Sequence, residues 1–225
     1  MTDMTLYIGN KNYSSWSLRP WLAMKQAGLS FREVLVPLNQ ADTQKQIKAF
    51  SGSGKVPFLE HGAVRVWESL AICEYVAELR PQAHLWPSDP VARAHARAIA
   101  TEMHGGFAEL RRNMPMDIRG RWPERNRQSH CAAEIERVIA IWREARERFG
   151  KAGANGKGDF LFGGFTIADA MYAPVTTRFI TYGAKYDAAT MAYIEAVNNL
   201  PAMREWAEAA KQEPWELTFP VFRQA

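Results

Sequence analysis

The chain changes character at Pro81, and that break constrains its fold more than any other feature. Before it, short β-branched and aromatic runs alternate with helical stretches. After it, the apolar residues recur at helical spacing. Thr5-Leu6-Tyr7-Ile8 reads as a strand. A helix is expected over roughly 19–27, closed by Gly28. Ser17 would cap it and Pro20 would fall in its first turn, where a missing N–H costs nothing. Residues 31–36 read as a second strand ended by Pro37, 43–50 as a short helix and 51–54 as a loop. Residues 57–60 and 64–66 form a hairpin around His61-Gly62. A helix over 69–79 then keeps Leu70, Ile72, Cys73, Val76 and Leu79 mostly on one side. The order βαβαββα is an α/β pattern in miniature.

Pro87-Ser88-Asp89-Pro90 is a linker that becomes a helix start, with Asp89 as N-cap and Pro90 at the first helical position. Helices are expected over 91–113, 126–149, 166–182, 187–198 and 201–211, with a small-residue loop at 150–158. Two units follow: residues 4–83, α/β, and residues 90–225, all helical. Thr166-Ile167-Ala168-Asp169 is a capping-box pattern that would fix the entry of a central helix, stabilising by about 1 kcal/mol.

The 225 residues are 47% apolar, enough for a sizeable core, and Lys+Arg exceed Asp+Glu by 28 to 24. That mild excess is a weak pointer to anionic ligands and no case for nucleic acid. No apolar run approaches the length of a membrane span, and Met1-Thr2-Asp3-Met4 shows no secretory pattern. Asn12-Tyr13-Ser14 fits a glycosylation pattern that means nothing without secretion. Cys73 and Cys131 give neither a disulfide framework nor a CxxC motif, so a reducing cytoplasm is the natural compartment. His61, His84, His95, His104 and His130 make no metal-binding pair, and residues 150–158 lack the spacing of a phosphate loop.

Two dipeptides eleven residues apart carry the functional reading. Pro57 opens a short strand where the chain turns sharply, and is a candidate cis residue. That geometry would leave the N–H and C=O of Val56 free to pair with an extended peptide. Glu68-Ser69 sits where a strand gives way to a helix, whose bare N–H groups and positive end suit a carboxylate. Glu68 could hold an ammonium beside it. A γ-glutamyl head carries both groups. Upstream, Tyr13-Ser14-Ser15-Trp16-Ser17 clusters hydroxyls at a helix start. By itself that cluster reads more readily as a helix cap; with the downstream pair, a thiol-binding role prevails.

These motifs, in this order, resemble the soluble glutathione transferase superfamily, and the resemblance covers nearly the whole chain. It implies a thioredoxin-like, glutathione-binding unit over 4–83 and an all-helical substrate-binding unit over 90–225. Val56-Pro57, Glu68-Ser69 and the Thr166–Asp169 box fall where that family places its cis-proline, γ-glutamyl site and C-terminal capping box. Ser14-Ser15-Trp16-Ser17-Leu18-Arg19 is similar to the zeta-class pattern Ser-Ser-Cys-Ser-x-Arg. The match sets Ser14 on the catalytic serine, Ser15 on its neighbour and Arg19 on the arginine; Trp16 replaces the cysteine. The resemblance implies glutathione as co-substrate, a homodimer, and conjugation to a small electrophile of a detoxifying kind.

A free thiol near pKa 8.5 is a few per cent ionised at neutral pH. Lowering it by two units takes roughly 2.7 kcal/mol, which one serine hydrogen bond and a helix terminus could supply. The choice between Ser14 and Ser15 depends on backbone direction, with Ser14 favoured. Lys55, Gln40 and, less securely, Lys45 are candidates for the glycine end of glutathione. Tyr13, Trp16, Phe107, Leu110, Met114 and Met116 are candidate walls for the electrophile, each also readable as ordinary core. The arginines at 111, 112, 119, 121, 125 and 127 would suit a carboxylate-bearing substrate, although most are expected to be solvated. Arg178 is another candidate for such a substrate, but it lies about one turn before the zeta-class substrate arginine and is not matched to it. Neither cysteine is near the first loop, which argues against a cysteine mechanism. Two rivals stand: a glutathione-dependent isomerase or dehalogenase, and a non-catalytic binding module.

Overall fold

The computed structural model describes residues 4–150 and 158–219. Strand β1 (Met4–Ile8) lies between β2 (Arg32–Leu35), parallel to it, and β3 (Phe58–His61), antiparallel; β3 pairs antiparallel with β4 (Val64–Trp67). The parallel pair needs a crossover, and α1 (Ser15–Gln26) supplies it. Alternation along β1 sends Leu6 and Ile8 into a core built with Leu18, Leu22, Leu59, Ile72 and Val76. Tyr7 faces the other way, its ring stacked on Phe50 at 4.0 Å. Helix α2 spans Thr43–Lys48, and α3, over Ser69–Leu79, packs beside α1.

Among the described residues six α-helices follow: α4 (Pro90–Gly105), α5 (Ala108–Asn113), α6 (Ala132–Ala145), α7 (Ile167–Tyr182), α8 (Ala188–Asn198) and α9 (Pro201–Lys211). Asp89 caps α4, accepting from the Ala92 N–H at 2.7 Å. Helix α7 is buried along its length except at Ile180, and packs against α1 and α4. Its first turn is closed by Asp169. One carboxylate oxygen accepts from the Thr166 N–H and hydroxyl, both at 2.8 Å. The other accepts from the Leu161 N–H and the Tyr193 hydroxyl, both at 3.1 Å. No helix among the described residues is long and apolar enough to cross a membrane.

Three expectations are corrected. Helix α1 starts at Ser15, a turn earlier than 19, so Ser14 holds the N-cap position and Pro20 lies in the helix interior. Ser17 is drawn from capping by tertiary partners: it accepts from the Gly9 N–H at 3.0 Å and lies 2.7 Å from the Ser14 hydroxyl. The helix expected over 91–113 breaks at Gly106, which is extended, and Phe107, which is left-handed at φ 56°. A Cβ on Gly106 would lie 2.7 Å from the Glu102 carbonyl oxygen, so glycine is required at the break. The helix expected over 126–149 begins as a tight 3-10 turn (Arg127–Cys131) and ends in a wide turn (Arg146–Gly150), leaving α6 as its regular part. Most of the loop expected at 150–158 lies outside the described residues.

Candidate active site

The strand and helix ends that face α4, α5 and α7 enclose two adjoining cavities. The smaller, about 220 Å³, is lined by Ser53, Pro57, Glu68, Ser69 and His104; the larger, about 420 Å³, by Tyr13, Ser14, Ser15, Met116 and Arg178 among others. Trp16, Lys55 and Val56 line both. The Val56–Pro57 bond is cis, and among the described residues the Val56 N–H and C=O have no protein partner. An extended peptide could therefore pair there.

In the smaller cavity Glu68 precedes α3 at φ 68°, a conformation that side-chain-bearing residues rarely adopt. The Ser69 hydroxyl is buried with no partner, which costs free energy unless a ligand answers it. Glu68 leaves its carboxylate half exposed beside the unpaired N–H groups of the helix start. His104, reaching across from α4, places its Nε2 3.5 Å from that carboxylate. Burial lowers the His104 pKa, and the Glu68 charge opposes the shift.

In the larger cavity Ser14 and Ser15 are both buried at the wall. Ser17 accepts from the Gly9 N–H, which leaves its own proton for the Ser14 oxygen. Ser14 can then direct its proton into the cavity. The Ser15 hydroxyl makes no hydrogen bond within the described protein. Both serines stand at the start of α1, where the positive end of the helix favours an anion.

The far wall is cationic. Arg178, on α7, is buried, and its Nε and Nη1 have no partner. Arg19, also buried, gives Nε to the Met171 carbonyl at 3.0 Å and leaves both terminal nitrogens unpartnered. Burial, then repulsion from Arg178 and from Arg111, draws the Arg19 guanidinium well below its ordinary value; burial takes Arg178 down to about 10. Among the described residues no carboxylate offsets either. Trp16 gives partial relief: the Arg19 guanidinium lies 4.1 Å from its ring centre and that of Arg111 5.5 Å.

Of the residues expected here, Tyr13, Ser14, Ser15, Trp16, Lys55, Val56, Pro57, Glu68, Ser69 and Met116 meet at these cavities. Phe107, Leu110 and Met114 do not: they are buried in the helical core, where the same apolar spacing puts them. Gln40 is exposed, donating its amide to the Leu38 carbonyl, and Gln44 takes the wall position one helical turn on. Lys45 is solvated on α2. From the arginine-rich stretch only Arg111 lines these cavities; Arg119 binds the chain's last described segment and Arg125 stacks on Trp122. Both cysteines are buried, with thiols pushed up by burial, Cys131 to about 11. No cluster able to hold a metal exists among the described residues. His104, Gln44 and Phe219 were missed as wall residues and carried no local signal; Arg178, a candidate from the sequence, lines the larger cavity.

Residues 13–79 match the family model for the glutathione S-transferase N-terminal domain, and residues 93–209 the model for its C-terminal domain. A probable maleylacetoacetate isomerase of Caenorhabditis elegans is 37% identical over 106 residues, 47% of this chain and 48% of that protein. The maleylacetoacetate isomerase of Rattus norvegicus is 32% identical over 108 residues, 47% and 49% of the two chains. The chain thus spans about half the length of these curated relatives. Among solved structures, a glutathione transferase homolog from Burkholderia, with bound glutathione, superimposes with a TM-score of 0.69 at 21% identity, over 95% of this chain and 100% of that one. A theta-class enzyme from Xanthomonas axonopodis with glutathione bound gives 0.69 at 22% identity, over 92% and 98%. Those two share the fold; the matched models, the second spanning half of the chain by itself, show that the chain belongs to the glutathione S-transferase family.

Proposed function

We propose that the protein is a glutathione-dependent enzyme acting on a small, carboxylate-bearing electrophile, with isomerisation of a maleyl-type acid as its leading activity. The carrying observation is the pair of buried arginines without acid partners, one of them lining the cavity that holds Ser14. A buried cation without a counter-charge costs several kcal/mol, and an anionic substrate would remove that cost. The relatives named maleylacetoacetate isomerase favour isomerisation over conjugation.

Glutathione would supply a thiolate for addition to an electrophilic carbon. Its γ-glutamyl head fits the unpaired Ser69 hydroxyl, the α3 start and Glu68; its backbone fits Val56; Lys55 or Gln44 suits its glycine end. Ser14, supported by Ser17, would donate to the sulfur, and Arg178 with Arg111 would orient the acid. In this reading residues 4–83 hold glutathione, 90–225 hold the acid, and the exposed Trp67 and Val64 on β4 suit a homodimer.

The test is the ultraviolet thiolate band of bound glutathione against pH. In the wild type the thiol ionises well below its free value. Ser14→Ala raises that pKa by about one to two units, the worth of one hydrogen bond to a charged group. Ser15→Ala leaves it in place; if Ser15→Ala alone moves it, Ser15 is the donor. Turnover of a maleyl acid with thiol unconsumed identifies the isomerase; stoichiometric thiol loss identifies conjugation. An unshifted thiol in the wild type sinks both.

A further inference from the structure

The turn that carries Ser14 has almost no support from the sheet. Residues 9–13 leave β1 and reach α1 without a strand partner. Their backbone is held instead from about 200 residues away in sequence. The Lys11 and Asn12 N–H groups both donate to the Glu213 carboxylate, at 2.6 and 3.1 Å. Two successive amides turned toward one anion form a nest. The Lys11 carbonyl accepts from the Trp206 indole at 2.8 Å. The Asn12 side chain bridges Asp117, at 2.8 Å, and the Arg119 N–H, at 2.9 Å.

Glu213 is itself pinned. It is buried, and Arg119 grips the backbone at and just after it, donating to the Glu213 carbonyl at 2.7 Å and the Trp215 carbonyl at 2.8 Å. The same guanidinium reaches the Tyr13 hydroxyl at 3.0 Å. From Asn12 the constraint passes two residues along. Tyr13 and Ser14 both donate their N–H to the Asn10 carbonyl, at 3.1 and 2.7 Å. Displacing Lys11 and Asn12 therefore displaces the Ser14 hydroxyl.

We infer that Glu213 is a positioning residue: its carboxylate locks the Lys11–Asn12 turn so that Ser14 presents its proton to the substrate thiol. This rests on the glutathione reading above. The effect is specific in sign. Glu213 is a negative charge near the thiol, so removing it by electrostatics alone would favour the thiolate and lower its pKa. Loss of positioning raises it. The γ-glutamyl lobe is lined by residues of the 53–57 segment, by Glu68 and Ser69, by His104 of α4 and by Trp16, and by no residue of the 9–13 turn.

The experiment compares wild type, Glu213→Gln and Arg119→Lys, the latter keeping the positive charge while losing the forked grip on the 213–215 segment and Tyr13. Each is read for the pKa of bound glutathione from its thiolate band, the glutathione Kd and the thermal midpoint. The expected result is a thiol pKa about one unit higher in both variants, a tenfold fall in the ionisation constant of the bound thiol, with Kd changed less than threefold. Two variants guard against one that folds poorly. A thiol pKa that stays put or falls in folded variants overturns the inference while leaving the glutathione reading intact. A wild type that leaves the thiol at its free value overturns both.

Discussion

Arg178→Met is expected to give a protein that melts at a higher temperature than the parent and turns over a maleyl-type acid, the proposed substrate, at least about thirtyfold more slowly. The two effects have one cause. Arg178 is buried on α7, its Nε and Nη1 lack partners among the described residues, and its charged neighbours Arg19 and Arg111 repel it. Replacing such a cation by an apolar side chain of similar length removes a desolvation penalty, and stabilises by about 1–3 kcal/mol in comparable cases. For a chain of this size that is about 2–4 °C per kcal/mol. Losing the buried partner of a substrate carboxylate costs about 2–5 kcal/mol, which places the loss in kcat/KM between about thirtyfold and several thousandfold. Glutathione affinity stays level, because the lobe at Ser69 and His104 does not contain Arg178. Calorimetry and steady-state kinetics on one preparation decide the matter. A lower melting temperature, or unchanged turnover of the acid, removes the anion site from the reading.

Trp16 belongs to the same argument. In the family pattern that the chain resembles, a cysteine stands at this position. Here an indole lies within cation–π reach of Arg19 and Arg111 and edge-on to His104 at 5.4 Å. It walls both cavities, so one side chain separates the two lobes and offers its ring to cations that have no carboxylate. The attraction is worth about 2 kcal/mol when desolvated, less than the penalty for two buried guanidiniums. The remainder is what an anionic substrate would answer.

The parts of this site that were legible in the sequence are those built from adjacent residues. Val56-Pro57 and Glu68-Ser69 work through local backbone geometry, which a dipeptide can announce. The capping box was legible for the same reason. The start of α1 was not, because Ser14, Ser15 and Ser17 are all competent caps and a contact with Gly9 decided among them. Leu110 and Met114 have the same helical spacing whether they face a cavity or the core; burial in the helical core settled it. His104 and Glu213 carry no local mark. Their roles exist only once α4 and the chain's end are folded onto the first loop.

Asp169→Ala is expected to cost at least 4 kcal/mol, a large part of the stability of a typical domain. The side chain is fully buried and accepts four hydrogen bonds, from the Leu161 and Thr166 N–H groups and the Thr166 and Tyr193 hydroxyls. Alanine strands those donors; a buried donor left unpaired costs about 1–3 kcal/mol. Asp169→Asn keeps one acceptor oxygen and falls between the two. The variants also separate by pH. Burial, opposed by these donors, raises the Asp169 pKa from 3.8 to about 6. Between those values the folded protein keeps a proton that the unfolded chain has released. Stability therefore falls as pH rises through this window, by about 3 kcal/mol in all, and is level with respect to this group above it. Urea unfolding at intervals from pH 4 to 7 should show that slope in the wild type and lose it in Asp169→Asn. A slope of opposite sign would mean that the four donors outweigh burial and hold the carboxylate ionised. Because Arg178 lies nine residues further along the same helix, about two and a half turns, the cap that anchors α7 also sets the direction from which that arginine meets the cavity.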